Sequence, residues 1–108
     1  MPKKYIVDIT AAAETDVAEI WECIAQDKPD AATAFVLRLE EQIGTRERFP
    51  ERCPLVRENE LLGTAYRHLE YGNYRTIFKI TGSRVLIMRV LHGARLLDMG
   101  LLEEPTKS

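Results

Sequence analysis

Apolar and polar positions change period several times along the chain. Tyr5-Ile6-Val7-Asp8-Ile9 is rich in β-branched and aromatic residues and predicts a short strand. Over residues 11–27, Val17, Ile20, Trp21 and Ile24 recur at i, i+3, i+4 and i+7, the pattern of one buried helical face. Thr10 stands where an N-cap is needed, and Asp16, Glu19, Glu22 and Asp27 lie mostly off the stripe. Lys28-Pro29 ends this helix, because the residue before proline is pushed out of the helical region. Asp30 is the expected N-cap of a second helix over about 31–48, with Ala32, Phe35, Val36, Leu39 and Ile43 as its stripe. Two such helices form a hairpin whose apolar faces must lie on a sheet.

Residues 49–64 carry two prolines and a glycine without a clear period, which predicts a surface loop with at most one helical turn. Sixteen residues is long for a connection; such a stretch is either functional or a spacer back to the sheet. Strands are expected at 65–70, 74–81 and 84–91, joined by Gly72-Asn73 and Gly82-Ser83 into an antiparallel meander. Strict alternation places Arg75, Ile77 and Lys79 opposite Tyr74, Thr76, Phe78 and Ile80, and Val85, Ile87, Arg89 and Leu91 opposite Leu86, Met88, Val90 and His92. Both faces of the last strand are largely apolar, as in a central strand covered on both sides. Arg89 interrupts it, so it either reaches a buried acid or lines a groove. Leu96, Leu97, Met99, Leu101 and Leu102 then suggest a short C-terminal helix, which Gly100 weakens. The expected fold is α+β: an N-terminal strand, a two-helix hairpin packed on an antiparallel meander sheet of about four strands in all, and a short C-terminal helix, within one domain over 1–108.

Composition agrees with a packed domain, being 45% hydrophobic and 30% charged. No apolar run approaches the roughly 20 residues that span a bilayer. The start, MPKKYIVDIT, lacks the apolar core of a signal peptide, so the expected compartment is the cytoplasm. Cys23 and Cys53 then read as free thiols, and without paired Cys or His spacings neither metal nor other cofactor is expected. The formal charge of −2 hides an asymmetry: residues 11–64 carry net −6 and residues 65–95 net +5. Helices collect acids by propensity, but Arg67, Arg75, Arg84, Arg89 and Arg95 on a sheet point to an anionic partner, since solvation would be served as well by Lys.

Within that frame stand Tyr66-Arg67-x-Leu69, then Tyr71-Gly72-x-Tyr74-Arg75-x-Ile77-Phe78, then Val90-Leu91-His92-Gly93-Ala94-Arg95. Their order and spacing resemble the RelE/ParE superfamily of type II toxin–antitoxin toxins, as do Thr10, Ala13, Asp16, Ile20, Trp21, Ala25, Pro29, Ala32 and Phe35 in the first half. The resemblance covers roughly residues 5–97 and lies closer to the ParE-like branch. It implies a toxin neutralised by a cognate ParD/RelB-like antitoxin in a hetero-oligomer, with a role of the plasmid-stabilisation type. ParE-like members poison DNA gyrase by binding; RelE-like members cleave mRNA on the ribosome.

RNA cleavage through the 2′-OH needs a base, cations on the crowded phosphate and an acid. The resemblance matches Arg67, Arg75 and Arg95 to basic positions of RelE-like sites, and His92, three residues before Arg95, supplies an imidazole suited to acid–base work. His92 equally suits closing a strand through a backbone carbonyl. The second Lys of the RelE pattern and its aromatic hydroxyl after the last Arg are missing here: Leu69 and Leu96–Leu102 stand there instead. The candidate catalytic residues are therefore Arg67, Arg75, His92 and Arg95, and the candidate target- or antitoxin-binding residues Arg67, Tyr74, Arg75, Arg89 and Arg95. Three readings follow: a gyrase-inhibiting ParE-like toxin, a ribosome-dependent mRNA endonuclease, and a non-toxic remnant that only binds an antitoxin.

Overall fold

The computed structural model describes residues 4–93 and 95. The strand β1 (Ile6–Ile9) leads into α1 (Ala11–Ala25) and α2 (Pro29–Gly44). A segment with two 3₁₀ turns (Thr45–Glu47, Pro50–Arg52) and the four-residue helix α3 (Asn59–Leu62) follows. The chain then runs through β2 (Arg67–Tyr71), β3 (Tyr74–Thr81) and β4 (Arg84–His92). The expected C-terminal helix lies outside the described residues.

The three-strand meander forms as expected, but the sheet is mixed rather than antiparallel throughout. Its order is β1-β4-β3-β2, with β1 parallel to β4 from Ile6↔Arg84 to Ile9↔Ile87. The reason is the crossover: the hairpin and its following segment return the chain to the far side of the sheet, so the first and last strands become neighbours. Both turns place glycine at positive φ in the first central position, Gly72 at 58° and Gly82 at 60°, while Asn73 and Ser83 stay at negative φ. That is the II′ pattern matched to sheet twist.

Thr10 caps α1, its hydroxyl accepting from the Ala13 amide at 3.1 Å, and also donates to the Met88 carbonyl at 2.8 Å. Asp30 does not cap α2. The helix starts two residues earlier than expected, on Pro29, whose missing N–H costs nothing in the first turn. Asp30 lies in that first turn, where the helix dipole favours an acid. Helix and sheet close on Ala13, Ile20, Leu39, Ile43, Phe78, Val85, Ile87 and Val90. The α2 stripe seats as expected, Ala32, Leu39 and Ile43 being fully buried. Trp21 does not: it is 38% exposed and donates from its indole to Thr33 at 3.1 Å, tying the two helices together on their outer side. Asp16 takes the inner position instead.

The opposite face of the sheet is covered by the segment expected to be a surface loop. Val56 and Leu62 pack with Ile77, Met88 and Leu91 in a second cluster, and Glu58 is buried as well, while Cys53 of the same segment joins the helix-side cluster. Asn59 closes this cover. Its side-chain oxygen accepts from the Tyr66 amide and the Thr64 hydroxyl, and its amide donates to the Tyr66 carbonyl, all within 2.9 Å.

Strict alternation fails midway along β4. Ile77 pairs with Arg89 but Phe78 with Ile87, so β4 carries one extra residue at Met88, a β-bulge. Beyond it the faces exchange: Val90 joins the helix side and Leu91 the opposite cluster, the reverse of the simple expectation.

Candidate functional site

The arginine row does not converge. On β2, Arg67 shares a face with Leu69 and Tyr71, which pack toward the helices. On β3, Arg75 shares a face with Ile77, which packs beneath the α3 segment. The two guanidinium groups that the resemblance matches to one phosphate site thus lie on opposite faces of the sheet.

Each is also already engaged. Arg67 Nη1 donates to the backbone carbonyls of Cys53 at 2.7 Å and Glu51 at 3.0 Å, pinning the incoming loop to the edge strand. Arg75 is 4% exposed and makes a fork-on-fork pair with Glu58: Nη1 donates to Oε1 at 3.0 Å and Nη2 to Oε2. Nη2 also donates to the Arg95 carbonyl at 2.7 Å. Arg84 donates to Asp8 on β1 at 2.6 Å. Arg89 takes the first of its two expected alternatives and reaches a buried acid. Its Nε and Nη2 donate to the two Asp16 oxygens at 2.7 Å each, and Asp16 Oδ2 accepts the Val90 amide at 2.9 Å. Beyond Ile9, where β1 ends, Thr10 and Asp16 from α1 therefore satisfy the outer backbone groups of β4.

Two residues of consequence were missed from the sequence. Asp16 is one before Val17 and four before Ile20, so it falls on the buried side of the helix, and an Arg on an otherwise apolar strand was the signal that such an acid must exist. Glu58 had no comparable signal, because its burial depends on where an aperiodic segment folds back.

Tyr74, His92 and Arg95 do come together. They line one cleft of about 190 Å³ with Glu19 and Cys23 of α1, and Tyr74 and His92 also border a second of about 270 Å³ with Glu70 and Asn73. An aromatic chain positions them. Phe35 meets Tyr71 and Tyr74 at ring-centroid distances of 5.0 and 5.7 Å, and Tyr74 meets the His92 ring edge-on at 5.7 Å. The His92-Gly93 corner is fixed because the Gly93 amide donates to the Asn73 carbonyl at 2.7 Å. A Cβ at Gly93 would stand 3.3 Å from that oxygen.

His68, on the Arg75 face, has its pKa held below the ordinary 6.5, first by burial. Glu70 and Glu58 oppose this, and Arg75 and Arg57 reinforce it. Among the described residues no group of three or more His, Cys, Asp or Glu side chains is placed to hold a metal ion, and no helix is long and apolar enough to cross a membrane.

A family model described as the ParE toxin of the type II toxin–antitoxin system parDE matches residues 7–97. Among solved structures, the chromosomal ParDE toxin–antitoxin system from P. aeruginosa contains a chain that superposes with a TM-score of 0.67 at 21% identity, over 82% of this chain and 96% of that one. A chain of the RelBE2 toxin–antitoxin complex from Mycobacterium tuberculosis superposes with a TM-score of 0.54 at 28% identity, over 82% of this chain and 98% of that one. Comparison with curated proteins gives no match. With the family model spanning β1 to the end of the described residues, the chain belongs to the ParE toxin family of type II toxin–antitoxin systems.

Proposed function

We propose that this toxin acts in the cytoplasm by binding DNA gyrase, with no bond-breaking chemistry of its own. The observation that carries the reading is the internal use of the sheet's guanidinium groups. Arg67 and Arg75 occupy opposite faces, and Arg75 is closed off by Glu58. A phosphoryl-transfer site needs cations free to meet the phosphate as its charge develops. The test is a supercoiling assay with antitoxin-free protein. Loss of gyrase supercoiling near stoichiometric toxin is expected, and gyrase that stays fully active in a molar excess of folded protein overturns the reading.

The proposed partner is a ParD/RelB-like antitoxin whose extended, amphipathic segment folds onto the toxin in a hetero-oligomer. The groove of about 330 Å³ between hairpin and sheet suits it, with an apolar floor of Val17, Ile43, Ile87 and Val90 and with Glu14 and Glu40 among its lining residues. Apolar side chains would fill the floor, and basic ones would meet the two acids. Complex affinity is expected to fall as salt is raised, and a salt-insensitive complex removes the electrostatic part of this reading.

One observation favours a second reading, a ribosome-dependent mRNA endonuclease. Tyr74, His92 and Arg95 line one cleft, with the Tyr74 and His92 rings 5.7 Å apart. Primer extension on translating ribosomes decides it: cleavage abolished by His92→Ala and Arg95→Ala would establish it. Full growth on expression without an antitoxin would instead indicate a binding-only remnant.

A further inference from the structure

The ion pair between Arg75 and Glu58 has the form of a filled anion site. The two guanidinium nitrogens of Arg75 hold the two oxygens of one carboxylate, in a pocket where Arg75 is 4% and Glu58 5% exposed. A second guanidinium stands beside the same carboxylate, Arg57 Nε lying 3.9 Å from Glu58 Oε1. The donor side is held by the sheet: Arg75 sits on β3 and is steadied through the Arg95 carbonyl at 2.7 Å. The acceptor side is held by its own segment, where Val56 packs on Ile77 and the Asn59 side chain bonds the Tyr66 backbone. Glu58 arrives on the aperiodic segment just before α3. The planar fork of arginine accepts a carboxylate or a tetrahedral oxyanion in the same bidentate manner. Glu58 thus occupies, from within the chain, the place that an external oxyanion would take.

We propose that Glu58 is a plug that excludes phosphate groups from an oxyanion site formed by Arg75 with Arg57, and that removing its carboxylate opens this site. The proposal deepens the binding-only reading, because it identifies the residue that keeps phosphate off the sheet's buried arginine. Its test concerns the isolated protein, so a negative supercoiling assay would leave it standing, and the reverse also holds. The ligand chemistry is a phosphate oxyanion, either free phosphate or the diester of a nucleic-acid backbone.

The experiment is thermal unfolding at fixed ionic strength, with inorganic phosphate in one arm and dimethyl phosphate in the other. Wild type, Glu58→Ala, Glu58→Ser and Glu58→Ala/Arg75→Met are compared. Glu58→Ala is expected to melt below wild type and to recover by about 5 °C at phosphate tenfold above its Kd. Wild type and the double variant should not respond. Phosphorus NMR line broadening should appear with Glu58→Ala and be absent with wild type and the double variant. If Glu58→Ala does not fold, Glu58→Ser carries the same comparison, since it also removes the carboxylate and leaves its place open. A response to phosphate alone assigns the site to free phosphate, and a response to both probes admits a diester. A folded variant that responds no more than wild type, or a double variant that responds equally, overturns the proposal.

Discussion

Asp16 and Arg89 show how one buried pair reaches past its own two residues. Asp16 accepts from Arg89 and also from the Val90 amide, so it joins α1 to β4 where β1 no longer can. Removing one member of such a pair leaves the other charged and buried. Arg89→Met is therefore expected to cost about 3 kcal/mol in urea unfolding, and the double change Asp16→Asn/Arg89→Met distinctly less than the sum of the single changes. His68 gives a second prediction at this scale. A histidine whose folded-state pKa lies below the unfolded 6.5 resists protonation in the fold. Its contribution to stability is whole above that pH and is lost as pH falls from there through the folded value. The melting temperature should fall as pH is lowered from about 7.5 to 5.5, and His68→Gln should flatten part of that slope. An unchanged slope would remove His68 from the pH dependence.

At the scale of elements, the β2–β3 turn is also the seat of the helical hairpin. A Cβ at Gly72 would stand 3.2 Å from the Phe35 ring of α2, whereas one at Gly82 would meet nothing within 4 Å. Both glycines have positive φ, so alanine at either costs about 1 kcal/mol of backbone strain. Gly72→Ala should cost about twice as much as Gly82→Ala, and Phe35→Leu should shrink the difference; equal costs would mean that the ring yields freely. The elements themselves were largely legible in the sequence. Strand and helix periods located β1, the two helices and the meander, because period 2 and period 3.6 are local properties. The bulge at Met88 was not legible: an extra residue is defined only against its partner strand, and it reverses the faces of every residue beyond it. The buried underside of the 49–64 segment was hidden for a similar reason, since the carbonyls that hold it belong to Cys53 and Glu51 and the donor to Arg67.

For the whole molecule, the structure divides the five arginines of residues 65–95 in two. Arg67, Arg75, Arg84 and Arg89 are bonded internally, while Arg95 stands at an exposed cleft with Tyr74 and His92. Arg95→Ala is accordingly expected to leave the melting temperature within about 2 °C of wild type while weakening target inhibition severalfold. Arg75→Ala is expected to unfold the protein at lower temperature whatever the target, because Glu58 would lose its buried counter-ion. A supercoiling titration beside a melting curve separates these outcomes; inhibition unchanged in folded Arg95→Ala would place the binding surface elsewhere. The sequence alone determined what depends on neighbours along the chain: the periods of the elements, their order, the glycine turns, and the spaced residues that mark a ParE-like toxin. The tertiary structure alone decided the parallel pairing of β1 with β4, the faces beyond the bulge, and the acid that each buried arginine meets. The parallel pairing and the ion pairs depend on partners 17 to 78 residues away, the faces on a register set against β3, and no local pattern carries that information.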